Sequence, residues 1–187
     1  MKAQDLRNGM AINLDGELWL CVKTEHVKPG KGPAYLQAKL KNMKTGSHIE
    51  KRFRSAETFE QAILDKRDME YLYSDGSGAV FMDNETYDQT TLDAEMVGDS
   101  LLYMKPNTTV VGMVYDGAVL NLQLPAIVEL EVTDTPPGIK GATATNQLKE
   151  AVCETGLKTR VPPFIANGEI VKISTETGEY MGRVTGD

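Results

Sequence analysis

The sequence predicts an all-β protein built from three consecutive small barrels, and three observations predict it. Apolar residues recur at every second position rather than at helical spacing. Gly-containing turn signals, Asp15-Gly16 and Asp116-Gly117 among them, sit between the alternating runs. The runs are short and divide the chain into modules of about sixty residues, too many strands for one sandwich. Modules of that size need closure to avoid bare sheet edges.

In the first module, residues 10–14 lead through Asp15-Gly16 into residues 17–22, a hairpin pattern. Residues 34–42 alternate cleanly, with Leu36, Ala38 and Leu40 on one face and Gln37, Lys39 and Lys41 on the other. A turn over 44–47 connects them to a strand over 49–54. The second module opens with a strand over 69–73, turns through the Gly-rich residues 74–78 and resumes over 79–82. Apolar residues at 92, 96, 97, 101 and 102 then have the spacing of a short helix. Residues 109–115 and 118–122 form another hairpin about Asp116-Gly117. The third module contains strands over 127–132, 169–173 and 179–184, the last two around Thr177-Gly178. The joints between modules are expected near residues 63–67 and near Pro125.

Composition excludes several classes. No apolar run approaches the roughly eighteen residues of a membrane span, and Met1-Lys2-Ala3-Gln4-Asp5 does not resemble a secretion signal. Cys21 and Cys153 stand alone, without a Cys-x-x-Cys pair or clustered histidines, so neither a disulfide framework nor a zinc site is suggested. A cytoplasmic protein without cofactor or metal is expected. The formal net charge of −7 argues by itself against a polyanionic partner, but its distribution does not. Residues 1–64 carry 11 basic against 7 acidic side chains, whereas residues 65–187 carry 9 against 20. Between Lys23 and Arg54 nine basic residues face only Glu25 and Glu50. One end of the molecule is thus suited to a polyanion. The competing reading is that these charges are the solvated face of a sheet.

The most informative segment is Lys28-Pro29-Gly30-Lys31-Gly32-Pro33, which caps a hairpin between two strand patterns. Proline fixes φ and glycine admits positive φ, so Pro29-Gly30 and Gly32-Pro33 predict tight turns around a central lysine. Lys31 is thereby presented to solvent, either to reach into a partner or to be modified, or simply to keep the hairpin soluble. Other candidates have ordinary explanations. His26 and His48 lack a neighbouring carboxylate or cysteine in sequence, and Trp19 and Cys21 read as core packing. Asp83, Glu85, Asp88, Asp93 and Asp99 lack the spacing and central glycine of a calcium loop. Residues 74–78 lack the Lys-Ser ending of a phosphate-binding loop.

Several separated blocks, taken in order, resemble the bacterial elongation factor P family over almost the whole chain. The blocks are His26 to Pro33 with the lysine-tipped loop, Lys39 to Asn42, Val128 to Gly141, and a C-terminal set. That set holds Thr155-Gly156, Val161-Pro162, Phe164-Ile165, Gly168, Ile173, Thr177 to Tyr180 and Arg183-Val184. The resemblance implies an SH3-like (KOW-like) barrel over 1–64 carrying the loop, followed by OB-fold barrels over 65–126 and 127–187, in an elongated, L-shaped monomer. It also implies binding to the ribosome between the P and E sites, beside the P-site peptidyl-tRNA, and relief of stalling at consecutive prolines. Lys31 matches the tip lysine that reaches toward the peptidyl-transferase centre and that a lysine-modifying enzyme extends in many members. Lys28, Pro29, Gly30 and Gly32 match the loop that positions it. Gly141, Ala142, Thr143, Ala144 and Thr145 match an RNA-facing loop of the third domain, in which Ala142 replaces the family's usual Asp. Tyr180 and Arg183 match positions that would stack on, and pair with, nucleic acid.

Two other readings stand beside this one. A general single-stranded RNA-binding protein of OB barrels should line its groove with aromatics, yet only 6% of the chain is aromatic. An enzyme with a reactive loop lysine would need that lysine desolvated, which a glycine-flanked tip does not do.

Overall fold

The computed structural model describes residues 1–138 and 147–184, and its strands form three five-stranded sheets. The first contains β1 (Ala11–Leu14), β2 (Glu17–Val27), β3 (Tyr35–Asn42), β4 (His48–Arg54) and β5 (Glu60–Ala62), in the order β4-β3-β2-β1-β5. Asp15 and Gly16 both adopt positive φ, 54° and 81°, the paired left-handed step that matches the twist of the flanking strands. After β3, Asn42 Oδ1 accepts hydrogen bonds from the backbone N–H groups of Lys44 and Thr45 at 2.8 and 3.0 Å, fixing the turn before β4. Leu6, Ile12, Trp19, Cys21, Leu36, Ala38, Leu40 and Phe53 make one buried cluster, so the apolar half of the alternation is the core. β2 runs five residues past the apolar run that ends at Val22 and one past the strand pattern over 18–26 that leads to the tip. Its polar distal half bonds to β3 through to Val27↔Tyr35 and needs no apolar face to stay extended.

The second sheet comprises β6 (Asp65–Asp75), β7 (Gly78–Asp83), β8 (Gln89–Leu92), β9 (Thr109–Tyr115) and β10 (Ala118–Gln123), ordered β10-β9-β6-β7-β8. A Cβ at Gly78 would lie 2.1 Å from the Leu92 carbonyl oxygen, so β7 and β8 approach as closely as they do only over glycine. The helix predicted over 92–102 is two pieces. Asp93 caps α1 (Ala94–Val97) by accepting from Met96 N–H at 2.7 Å, and Gly98, at φ 48°, closes that turn before a 3-10 helix over Gly98–Tyr103. The Asp83 carboxylate accepts from the N–H groups of Glu85 and Thr86 and pairs with Arg67 at 3.1 Å. Two residues of the acidic stretch therefore organise backbone.

The third sheet comprises β11 (Ile127–Asp134), β12 (Lys149–Cys153), β13 (Lys158–Val161), β14 (Ile170–Ser174) and β15 (Tyr180–Arg183), ordered β13-β12-β11-β14-β15. Leu130, Val132, Ile165, Val171 and Ile173 centre its core, and Leu102 and Tyr103 pack against it. Four strands, β5, β8, β12 and β13, were not predicted. Each has three to five residues, too few for a periodicity to register. The chain packs as two compact units, Met1–Lys66 with Met113–Asn121 and Arg67–Gly112 with Leu122–Asp187. Among the described residues no helix is long and apolar enough to cross a membrane.

Phe53 is 1% exposed, so Phe53→Ala should cost about 3–5 kcal/mol, seen as a lower denaturant midpoint with little change in slope. Backbone donors hold the Asp83 carboxyl below its usual value, mainly the Thr86 and Glu85 N–H groups, while Ser77 does so for Asp75. Groups depressed in the folded state contribute stability above their unfolded pKa, here near 3.8, and that stability is lost as pH falls through and below this value. Thermal unfolding followed from pH 7 to pH 3 should show Tm dropping mainly below about pH 4, with a smaller drop in Asp83→Asn.

Candidate functional site

The candidate site is the far end of the β2–β3 hairpin. Pairing runs from Trp19↔Asn42 to Val27↔Tyr35, with a bulge between Cys21 and Lys23. Below the bulge the ribbon belongs to the core, with Trp19, Leu20 and Cys21 buried, whereas no β2 residue above the bulge is buried. The ribbon ends in residues 28–34, every one exposed. Two contacts tie down its exit. Ser55 Oγ donates to the Ala34 carbonyl at 3.0 Å, and the Arg52 guanidinium lies 5.0 Å from the centre of the Tyr35 ring. Within the loop the left-handed step occurs only at Gly32, at φ 111°, where a Cβ would be 3.8 Å from Pro29 Cγ. The expected second tight turn at Gly30 therefore uses no positive φ, although a Cβ there would meet open space. Among the described residues no hydrogen bond or carboxylate within 4.0 Å engages Lys28 or Lys31. The tip presents a solvated ammonium on a backbone of small and rigid residues.

Register explains the charge pattern behind the tip. Partners across an antiparallel ladder project to the same side, which puts Lys23, Lys39 and Glu50 in one row, Glu25, Gln37 and Arg52 in the next, and Val27, Tyr35 and Arg54 nearest the loop. Glu50 is engaged by Gln37 Nε2 at 3.3 Å. None of the nine basic residues from Lys23 to Arg54 lies within 4.0 Å of a carboxylate among the described residues. Elsewhere Arg67, Lys105 and Arg183 all have such partners. The first sheet therefore offers uncompensated positive charge, the kind that attracts a phosphate backbone.

The C-terminal candidates are arranged differently. Gly141, Ala142, Thr143, Ala144 and Thr145 lie outside the described residues. Tyr180 is half-buried and packs against the third core. Arg183 is ion-paired with Glu169 and sits 5.8 Å from the centre of the Phe164 ring, itself 62% exposed. The Glu169 carboxyl is held below its usual value first by the Ala166 N–H and then by Arg183. The loop residues 28–32 and the pair Tyr180–Arg183 thus belong to different sheets. Sequence reasoning missed Tyr35, Arg52 and Ser55 as the anchors of the loop. Tyr35 sits just past the Gly/Pro turn, but Arg52 lies in β4 and Ser55 just after it, 21 residues from Ala34, so sequence proximity marks neither.

Burial pushes both thiols, Cys21 and Cys153, up to about 11, which disfavours the nucleophilic thiolate. Among the described residues no group of three or more His, Cys, Asp or Glu side chains is placed to hold a metal.

Three family models match in order: the elongation factor P KOW-like domain over residues 2–59, the elongation factor P OB domain over 64–122, and the elongation factor P C-terminal domain over 128–183. Elongation factor P of Acidothermus cellulolyticus is 48% identical over 179 residues, covering 96% of each chain. That of a Nocardioides species is 46% identical over 182 residues, covering 97% of each. That of Acetivibrio thermocellus is 45% identical over 184 residues, covering 98% of this chain and 100% of its own.

If the uncompensated cations form a polyanion-binding face, Lys39→Glu combined with Arg54→Glu should elute from heparin at markedly lower salt. Both side chains are exposed, so the change in unfolding free energy should stay within about 0.5 kcal/mol.

Proposed function

The chain belongs to the elongation factor P family and is a translation elongation factor, and from that premise we propose that it binds the ribosome between the P and E sites, beside the P-site peptidyl-tRNA. There it stimulates peptide-bond formation and relieves stalling at consecutive prolines. Lys31, carried by Lys28, Pro29, Gly30 and Gly32, reaches toward the peptidyl-transferase centre. The observation that carries this reading is an exposed lysine, without an ion-pair partner among the described residues, on a tip whose exit is anchored by Ser55 and Tyr35. The module boundaries proposed are 1–64, 65–126 and 127–187, in a monomer acting in the cytoplasm. Residues 141–145 form the RNA-facing loop of the third module, with Tyr180 and Arg183 at its C-terminal edge.

The mechanism follows from what the tip can and cannot do. It holds no carboxylate, histidine or thiol to move a proton or attack a carbonyl. Its contribution is positional: a cation on a restrained backbone, held beside the acceptor end of the tRNA, reduces the conformers available to the reacting groups. Restricting misplaced geometries lowers a barrier without supplying any chemistry. Bond formation belongs to the ribosome, and the factor is not an enzyme. An anchored loop serves this better than a mobile one, because each freely rotating backbone residue at the tip would return the entropy that placement removes. The exposure of Lys31 also fits a side chain extended by a lysine-modifying enzyme, which would lengthen the reach of the tip.

In a reconstituted translation system, Lys31→Ala should slow synthesis through consecutive prolines at least tenfold, about 1.4 kcal/mol of barrier, with thermal unfolding unchanged. An undiminished rate would return the chain to a general RNA-binding role. Intact-mass measurement of natively produced protein should show added mass localised to Lys31. The unmodified mass with full activity would remove the modifying enzyme and leave the tip's role standing.

A further inference from the structure

The third sheet has the strand order of a five-stranded OB barrel, and in that fold the face of strands 2 and 3 is a surface that binds oligonucleotides. Here those strands are β12 and β13, paired from Lys149↔Val161 to Val152↔Lys158. Ala151, Thr159 and Val161 turn into the core, while Glu150, Val152, Lys158 and Arg160 turn outward beside a shallow groove. Lys158 and Arg160 are exposed, and among the described residues neither has a carboxylate within 4.0 Å. The neighbouring cations are occupied: Arg183 by Glu169, and Lys149 by the Pro136 carbonyl at 2.6 Å.

Residues two apart in a strand carry side chains to the same face about 6.6–6.8 Å apart along the chain. Two cations at that interval follow an extended phosphate backbone. Among the described residues no aromatic side chain lines the groove, so they offer no platform for stacking bases. We propose that the β12–β13 groove holds the sugar-phosphate backbone of single-stranded RNA, with Lys158 and Arg160 on neighbouring phosphates. Glu150, opposite Arg160 in the ladder, repels the same backbone and keeps the contact weak and reversible. The proposal rests on the reading of the chain as a ribosome-bound factor, and it adds a contact to the one proposed at Tyr180 and Arg183.

The test titrates the full-length protein against a fluorescein-labelled single-stranded uridine RNA, by anisotropy over a range of salt. With Lys158→Ala and Arg160→Ala combined, the log-log salt slope should fall by about 1.4, two contacts of about 0.7 each, and low-salt affinity should fall about tenfold. Glu150→Gln should tighten binding, a change that damage to the fold would not produce. Unchanged slope and affinity in the double variant would overturn the proposal. So would loss of ribosome association with RNA binding intact, which would give the groove to a protein partner. In proline-stalling rescue the double variant should raise the concentration for half-maximal effect and leave the saturating rate unchanged, whereas Lys31→Ala should lower the saturating rate. A failure of the tip reading therefore leaves the RNA titration intact.

Discussion

The projecting tip of the first sheet depends on one constraint, the ladder between β2 and β3. Its near half is buried through Trp19, Cys21 and Leu40, and beyond the bulge β3 keeps Ala38 and Leu36 buried opposite Thr24 and His26, so the ribbon cannot slip register without moving that whole apolar set to water. Its far half has no such face on β2 and is held by backbone pairing up to Val27↔Tyr35. A tip that must project cannot bury side chains of its own. It inherits its position from the core below, and the Ser55 bond and the Arg52–Tyr35 contact transmit that position to the loop.

The same ladder sorts charge. Alternation places Lys23, Lys39, Arg52 and Arg54 on the face opposite the core, and no carboxylate within ion-pair distance offsets them among the described residues. A formal charge of −7 therefore describes the chain poorly. The acidic surplus lies beyond residue 64, where Asp83 and Asp93 serve turns and caps and Glu169 and Glu154 pair with Arg183 and Lys105. Part of that acidity is structural. The surplus of basic residues makes the first sheet the part of the chain suited to attract a polyanion.

How much of this was legible in the sequence depended on whether the signal was local. Asp15-Gly16 and Asp116-Gly117 announced their hairpins because positive φ at both turn residues is a requirement on those two positions alone. The tip loop was legible for a similar reason, although the backbone uses Gly32 and not Gly30 for its left-handed step. The helix over 92–102 was half legible, since apolar spacing registers helical turns but not the break that Gly98 makes. What alternation could not show was anything set by distant partners. Arg183 meets Glu169 fourteen residues away, Arg52 meets Tyr35 on the neighbouring strand, and β12 is held between β11 and β13 by pairing that its own short run does not reveal. Family resemblance reached further than the physics of single segments, since it drew on the order of many weak blocks together.

The most direct test of the central claim is where the tip lies on the ribosome. A photoreactive residue placed at position 31 and activated on ribosomes carrying peptidyl-tRNA in the P site should cross-link to the acceptor end of that tRNA or to the RNA of the peptidyl-transferase centre. Cross-links confined to ribosomal proteins or to RNA remote from that centre would contradict the account.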